Sequence, residues 1–355
     1  MIWNPFKAAP KSFLGVDIGT SSIKIVELSR AGKRRKLDNY GEMQAASLYE
    51  NPFRTFEKST LTVSTQDVIR AIKGIVKEAG MKSRKSYFAI PDFSTFFTTL
   101  ELPPMTKEEL PQAVQFQARQ HIPLPLSEIT LDWQIIEGDN ASRQRSPFKV
   151  LLVAVPNEII NQYQEIAQSS QLELLSLEAE VFSLVRAVVK EKKDPLILID
   201  IGARSTTISI IDKGVLRISH SFDTAGNDFT NVISKGFHVD YPRAEEMKRK
   251  QGLNPGERSP RESLLPLVDL ILEEIKKITQ SYFQSERKEA QKIILAGGSA
   301  LLPGLVEYFS ENLRKPVSVA DPFSDLYYPP ILEKDLKKMG PAYSIAVGAA
   351  LYGLQ

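Results

Sequence analysis

The stretch FLGVDIGTSSIKIVEL, residues 13–28, decides how the rest of this chain folds. A run of apolar and small residues leads to Asp17, a turn with Gly19 and three hydroxyl side chains follows, and an alternating stretch leaves the turn. This pattern predicts a β-hairpin whose first strand ends near Asp17 and whose turn presents backbone N–H groups to an anion. Considered alone, the stretch is explained equally well by an ordinary edge hairpin with a polar turn.

The side chains of this hairpin suit a phosphate group that is bound together with a metal ion. Asp17 supplies a carboxylate, and Mg²⁺ prefers one or two carboxylates combined with phosphate oxygens. Lys24 on the second strand supplies a compact positive charge that suits a phosphate. The donors of the turn complete the candidate set: Gly19, Thr20, Ser21 and Ser22.

The same plan recurs in the second half of the chain. The stretch LILIDIGARSTTISII, residues 196–211, places Asp200 and Gly202 at the same mutual spacing as Asp17 and Gly19. A repeat of this length predicts two similar lobes, each opening with an acidic hairpin, and a phosphate chain held between the two loops. The candidate residues of the second loop are Asp200, Gly202, Ala203, Arg204, Ser205 and Thr206.

Two further stretches complete a set of four motifs. Residues 293–305, IILAGGSALLPGL, predict a buried strand, a Gly-Gly turn and a helix, and residues 244–248, AEEMK, lie on a predicted helix. The four motifs resemble the phosphate-1, phosphate-2 and adenosine motifs of the actin, heat-shock chaperone and sugar kinase superfamily, and the A-E-x-x-K helix of its bacterial branch. The resemblance implies an α/β, bilobal actin-like ATPase fold, similar to ribonuclease H, that binds ATP or ADP with Mg²⁺.

The resemblance also implies roles for individual residues. Asp17 and Asp200 would be the metal ligands, Glu245 and Lys248 would contact the ribose and adenine, and Gly226 would lie beside the nucleotide. Without its neighbouring motifs, the AEEMK stretch is typical of a solvated helix face. The Gly-Gly turn would let the backbone pass against the purine and ribose through Gly297, Gly298 and Ser299.

Two positions in the implied site each have two possible interpretations. An acid at the start of the helix between the lobes, Glu180 or Glu178, would lie near the γ-phosphate and its attacking water. A Glu in a first helical turn is also favoured simply by the helix dipole. Arg204 either clamps the terminal phosphate or points to solvent, so that its presence bears on hydrolysis more than on binding.

One segment distinguishes the subfamilies of this fold. Residues 86–155 predict strands around a helix that opens at residues 106–109, runs towards His121 and ends in an extended stretch up to residue 126. They resemble the 1C subdomain of the FtsA and PilM branch, inserted into the first lobe. The predicted division is a tail, residues 1–11; subdomain 1A, residues 12–85, 156–193 and 341–355; subdomain 1C, residues 86–155; subdomain 2A, residues 194–226 and 291–340; and subdomain 2B, residues 227–290.

Composition excludes several other classes of protein. The 355 residues carry a net charge of +2, which argues against a dedicated nucleic-acid binder. There is no cysteine and only three scattered histidines, so a disulfide framework, a thiolate zinc site and a Ser-His-Asp triad are not expected. No apolar run reaches the roughly 20 residues of a transmembrane helix. The basic run KRRK, residues 33–36, is interpreted as a solvated turn rather than a lipid or phosphate contact.

Over nearly its whole length the chain resembles the PilM family of type IV pilus assembly proteins. This resemblance implies a cytoplasmic ATP-binding scaffold, peripheral to the inner membrane, with weak or no ATPase activity. It would capture the N-terminal cytoplasmic peptide of a PilN-like membrane protein in a groove between subdomains 1A and 1C. A homo-oligomer is compatible with the resemblance, and no nucleic-acid partner is expected.

Two alternatives come from other functional classes. The first is an FtsA-like cell-division protein, a family that ends in a basic amphipathic helix at the membrane. The sequence stops directly after its last predicted helix, which favours the pilus protein. The second is a small-molecule kinase on the same fold, which needs a base for the acceptor hydroxyl. The sequence shows no clear counterpart of the lobe-one Asp that serves this purpose in sugar kinases.

Overall fold

The computed structural model describes residues 11–45, 53–57, 60–138, 147–191 and 193–355. Residues 1–10 of the predicted N-terminal tail lie outside the described residues. The strands are β1 (Ser12–Ile18), β2 (Ser22–Ala31), β3 (Arg34–Gln44), β4 (Arg54–Glu57), β5 (Thr60–Val63), β6 (Lys85–Ile90), β7 (Phe96–Leu102), β8 (Ile129–Glu137), β9 (Phe148–Pro156), β10 (Glu173–Ala179), β11 (Leu196–Ile201), β12 (Thr206–Asp212), β13 (Val215–Phe222), β14 (Lys292–Ala296) and β15 (Val317–Val319).

The helices alternate with these strands along the chain, as is usual for an α/β fold. They are α1 (Thr65–Glu78), α2 (Leu110–His121), α3 (Asn157–Ser169), α4 (Glu180–Val188), α5 (Gly226–Phe237), α6 (Tyr241–Lys250), α7 (Arg261–Glu286), α8 (Leu305–Leu313) and α9 (Glu333–Tyr352). Among the described residues, no helix is both long and apolar enough to cross a bilayer.

The first lobe is built on a five-stranded sheet in the order β10-β6-β1-β2-β3. β1 pairs antiparallel with β2 and parallel with β6, and both β1 and β2 are buried along most of their length. Such strands need cover on both faces. Helices α1 and α3 cover one face and α9 the other. A glycine is required where α9 crosses β1, because a Cβ on Gly15 would lie 1.9 Å from the carbonyl oxygen of Ala346.

The second lobe repeats this plan, as the duplicated motif predicts. Its sheet has the order β13-β12-β11-β14-β15, and β11 pairs antiparallel with β12 and parallel with β14. Helices α5, α7 and α8 bury their apolar sides against this sheet. A separate apolar cluster packs α4 and α9 between the two sheets and joins the lobes.

A third, smaller unit stands between β6 and α3. It consists of an antiparallel sheet in the order β7-β9-β8 and the helix α2, and it has a core of its own. We call β7, α2, β8 and β9 the inserted unit.

One boundary of the predicted division needs correction. Residues 86–90 were assigned to the inserted unit, but β6 pairs in parallel with β1 and β10 inside the first lobe's sheet. The strands of the inserted unit therefore begin at Phe96 rather than at Ser86. An apolar strand such as YFAI does not reveal its partner, because parallel pairing joins segments that are distant in sequence.

Candidate functional site

The two acidic hairpins have the same local geometry. Asp17 is paired with Lys24 across β1 and β2, and Asp200 is paired with Thr207 across β11 and β12. The Gly19 N–H donates to the carbonyl of Ser22 at 2.9 Å, and the Gly202 N–H donates to that of Ser205 at 3.0 Å. The matching turns arise from the matching spacing of Asp and Gly in the two halves of the sequence.

The two carboxylates belong to one electrostatic site. Burial raises the pKa of Asp17 to about 6, Lys24 opposes this rise, and the carboxylate of Glu180 adds to it. Burial also raises the pKa of Asp200, to about 7, and the nearby charges of Glu180 and Asp17 raise it further. The predicted residues of the two lobes therefore lie near enough to influence each other's protonation.

Glu180 is the first residue of α4, and its charge acts on the Asp of each hairpin. It is 7% exposed, and its Oε1 accepts a hydrogen bond of 2.9 Å from Nη1 of Arg54. The N–H of Asp92 donates to its other oxygen at 3.4 Å. Although burial lowers the pKa of Arg54, the charge of Glu180 raises it, so the guanidinium is held as a cation above its ordinary range.

Sequence reasoning missed Arg54 and Asp92. Asp92 is buried, and its Oδ1 accepts from the N–H of Val181 at 3.1 Å in the first turn of α4. Burial and the neighbouring charge of Glu180 raise its pKa well above the ordinary value. The stretch YFAIPD ends an apolar strand in an Asp, as the strands before Asp17 and Asp200 do, so a signal was present. Nothing in the sequence around Arg54 points to the site.

The phosphate-1 residues are held by contacts inside the first lobe. Nζ of Lys24 donates to Oγ of Ser22 at 2.5 Å and lies 3.7 Å from a carboxylate oxygen of Glu42. The carbonyl of Thr20 accepts from the N–H of Phe53, and that of Ser21 accepts from Ala45. The side-chain hydroxyls of Thr20 and Ser21 take no part in these backbone hydrogen bonds.

The phosphate-2 turn is tied to the N-terminus of α5. The N–H of Gly226 donates to the carbonyl of Gly202 at 3.0 Å, and the N–H of Asn227 donates to that of Ala203 at 2.8 Å. Oγ1 of Thr206 donates to the carbonyl of Thr224. Ser205 supplies the carbonyl that closes the turn, whereas Arg204 is exposed.

The Gly-Gly turn after β14 packs directly behind Asp200. Gly297 has a φ of +87°, and a Cβ there would lie 2.4 Å from Oδ1 of Asp200. The N–H of Ser299 donates to the carbonyl of Ile201 at 3.1 Å. A Cβ on Gly298 would meet no atom within 4 Å, so space is open beside this residue.

Helix α6 carries the AEEMK motif and contacts Gly226 at the start of α5. Nζ of Lys248 donates to the carbonyl of Gly226 at 3.0 Å and to the hydroxyl of Thr230 at 2.8 Å, and it lies 2.6 Å from Oε2 of Glu245. A Cβ on Gly226 would lie 2.4 Å from Oγ of Ser299. The structure thus brings Glu245, Lys248, Gly226 and Ser299 together, and it adds Thr230, which the sequence did not indicate.

Glu178, the alternative to Glu180, lies apart from these contacts. It ends up on β10, where its two oxygens accept from the guanidinium of Arg186 at 2.5 and 2.7 Å. Arg186 also donates to the carbonyl of Gly348 and lies over the ring of Tyr352. Glu178 is therefore engaged in packing α4 against α9.

The charges of the site leave an excess of carboxylates. Asp17, Asp92, Glu180 and Asp200 influence one another, whereas the cations acting on them are Arg54 and Lys24. No group of three or more ligating side chains among the described residues could hold a metal ion alone. A pair of carboxylates fits Mg²⁺, because this ion usually takes one or two carboxylates and completes its shell with water and phosphate oxygens.

A family profile and a curated protein both match most of this chain. A profile described as "Type IV pilus assembly protein PilM" matches residues 15–354. The curated protein "Cell division protein FtsA" of Pseudomonas aeruginosa is 24% identical over an alignment 393 residues long. The alignment covers 97% of this chain and 90% of that protein.

Solved structures give the fold independently. One described as "PilM-PilN type IV pilus biogenesis complex" has a TM-score of 0.83 at 22% identity, and the alignment covers 98% of this chain and 100% of that one. The crystal structure of MreB 5 of Spiroplasma citri bound to AMPPNP has a TM-score of 0.52 at 14% identity, covering 97% and 96% of the two chains. The predicted bilobal actin-like fold is confirmed.

Proposed function

The chain belongs to the type IV pilus assembly protein PilM family, and from this premise we propose that it is a nucleotide-binding scaffold of an inner-membrane assembly platform. The platform would serve a type IV pilus or a related secretion machine. In this proposal the protein is cytoplasmic and peripheral to the membrane, and it is held there through a membrane partner. Nucleotide binding sets the angle between the lobes and thereby the shape of the partner's groove.

The effect of the Asp17 charge on the pKa of Asp200, across the two hairpins, is the observation that carries the nucleotide part of the proposal. Backbone N–H groups and hydroxyls of both turns would receive the phosphates, and the two carboxylates would hold the hydrated Mg²⁺. When bound, the ion neutralises phosphate charge that would otherwise face four carboxylates. The open space beside Gly298 would receive the base and ribose.

We propose that hydrolysis is slow or negligible. The two oxygens of Glu180 accept from Arg54 and from the N–H of Asp92, so the carboxylate that would orient an attacking water is already engaged. General-base catalysis needs a group that can reach and accept the proton it removes. A bound nucleotide would then act mainly as a structural ligand that closes the cleft.

The partner in this proposal is the N-terminal cytoplasmic peptide of a PilN-like inner-membrane protein. Support comes from family membership and from the likeness to the solved PilM-PilN complex. On the inserted unit, Phe116 of α2 is 60% exposed, which is unusual for a large apolar side chain. Exposed aromatic side chains are frequent anchors of protein interfaces, so we assign Phe116 to the contact with the peptide.

Calorimetric titration with Mg-ATP tests the nucleotide site. Asp17→Ala and Asp200→Ala should each weaken binding at least tenfold, because each removes one of the two carboxylates that would hold the ion. Asp335→Ala, which removes an exposed carboxylate on α9, serves as the control and should leave the affinity unchanged. Unchanged affinity in both site variants would remove the assignment.

Fluorescence anisotropy with the labelled N-terminal peptide tests the partner site. Phe116→Ala should weaken binding about tenfold, as expected for the loss of an aromatic anchor. Leu270→Ala on α7 is the matched control, because Leu270 is similarly exposed but lies in the second lobe. Equal affinity of the wild type and Phe116→Ala would show that the peptide binds elsewhere, and the nucleotide assignment would stand.

A further inference from the structure

The tip of the β2-β3 hairpin carries a surface that the proposed function does not use. Arg30, Lys33, Arg34 and Arg35 are all exposed. Together with residues 324–327 they line a shallow, open cavity of about 590 Å³. We call these four cations the basic patch.

The charge of the basic patch is largely uncompensated. Among the described residues that line the cavity, Asp325 supplies the one carboxylate, and Lys190 already engages it at 3.0 Å. Arg30 donates to the carbonyl of Leu354, which is neutral. Four cations within six residues therefore face solvent on a chain whose total net charge is only +2. This concentration of like charge favours an anionic partner, which would reduce the mutual repulsion of the cations.

An exposed aromatic side chain lies beside the basic patch. Tyr327, which lines the same cavity, is 53% exposed. The loop that carries Tyr327 is fixed to β3, because its N–H donates to the carbonyl of Arg35 at 2.8 Å and its carbonyl accepts from Leu37 at 3.0 Å. Cations next to an exposed Tyr form a combination that suits the headgroup region of a bilayer.

We propose that the basic patch binds directly to a membrane surface that contains anionic phospholipids. The guanidinium and ammonium groups contact lipid phosphates, while Tyr327 enters the interfacial layer. A nucleic acid is the weaker match, because nucleic-acid-binding domains carry a marked basic excess and this chain has a net charge of only +2. The proposal takes up the lipid contact that the sequence analysis placed second to a solvated turn for residues 33–36.

The basic patch is remote from the candidate nucleotide site. β2 runs from the phosphate-1 turn at Ser22 to Ala31, and its ten residues span about 30 Å at ~3.3 Å per residue. Membrane contact at the hairpin tip therefore leaves the cleft open. Such a contact acts together with partner binding, because two weak attachments to one surface reinforce each other through effective concentration.

Co-sedimentation of the full chain with vesicles tests the proposal. The wild type should bind vesicles of phosphatidylcholine with phosphatidylglycerol, should not bind pure phosphatidylcholine, and should dissociate as salt rises. In the triple variant Lys33→Glu/Arg34→Glu/Arg35→Glu the partition coefficient should fall roughly 100-fold or more, since each lost cation near an anionic surface is worth about a factor of five. The matched control reverses three exposed lysines elsewhere: Lys73, Lys107 and Lys235.

The control separates a local site from a general effect of net charge. Equal losses in the two triple variants would overturn the proposal, and so would the absence of binding to anionic vesicles by the wild type. Binding of the wild type to single-stranded RNA but not to vesicles would overturn it as well. Tyr327→Ser keeps every charge of the basic patch. It should bind vesicles more weakly than the wild type at an unchanged melting temperature, which would show that the apolar contact contributes.

Discussion

Replacing Asp200 by Asn should stabilise the unliganded protein while weakening its binding of Mg-ATP. The carboxyl of Asp200 has a pKa raised from 3.8 to about 7 by burial and by the charges of Glu180 and Asp17. At 1.36 kcal/mol for each pKa unit, ionising this group inside the folded protein costs at most about 4 kcal/mol. The value is an upper limit, because the side chain keeps some contact with solvent.

The sign of the effect follows from proton counting. Between pH 4 and 7 the folded protein holds a proton on Asp200 that the unfolded chain has lost. The stability contributed by this group is therefore complete below pH 4 and is lost as the pH rises through about 7. Asn cannot ionise, so Asp200→Asn should remove this loss and raise the free energy of unfolding at pH 8 by up to about 4 kcal/mol.

Urea unfolding at several pH values, together with calorimetric titration of Mg-ATP, measures both effects. The variant should be more stable than the wild type at pH 8, should equal it near pH 4, and should bind Mg-ATP at least tenfold more weakly. The matched control is Asp212→Asn in the same lobe. Asp212 is buried but lies 2.7 Å from Nζ of Lys288, so its substitution should destabilise the protein. An Asp200→Asn protein that is less stable at pH 8 and binds Mg-ATP normally would refute the reasoning.

Two other substitutions address the groups around these carboxylates. Arg54→Met should destabilise the protein by about 3–5 kcal/mol in urea unfolding, because it leaves the buried carboxylate of Glu180 without its partner at 2.9 Å. The double variant Arg54→Met/Glu180→Leu should recover most of this loss. If the double variant recovered no stability, the importance of the pairing would be contradicted. Gly297→Ala should weaken Mg-ATP binding at least tenfold, since its Cβ would lie 2.4 Å from the Asp200 carboxylate, whereas Gly256→Ala, with no atom within 4 Å of its Cβ, should not change the affinity.

The parts of the fold that could be predicted from sequence are those with a local signature. The hairpins at Asp17 and Asp200 combine an apolar strand, an Asp and a Gly turn within a few residues, and their repetition predicts two lobes. The helix predicted for the AEEMK stretch is present as α6. The boundaries of the inserted unit were less accessible, because β6 has the same appearance whichever sheet it joins.

The missed residues of the site share a different property. Arg54 reaches Glu180 across 126 positions of sequence, and no periodicity or turn chemistry marks such a contact. Asp92 does follow an apolar strand, but the Pro before it and the absence of a Gly turn separate it from the two hairpins. Buried ion pairs of this kind are decided by tertiary packing, and only coordinates reveal them.

Asp92 connects the charge of the cleft to the inserted unit. It opens the short helical turn Asp92–Ser94 directly before β7, and its carboxylate accepts from the first turn of α4 while its N–H donates to Glu180. Its pKa responds to the charges of Glu180 and Asp200, so a cation or phosphate entering the cleft changes the energy of these bonds. The backbone of Asp92 leads into the inserted unit within four residues, so these bonds hold the segment directly before β7. In the proposed function, one buried acid thus joins the candidate nucleotide cleft to the inserted unit, and Asp92→Asn should uncouple peptide affinity from Mg-ATP more than it alters either affinity alone.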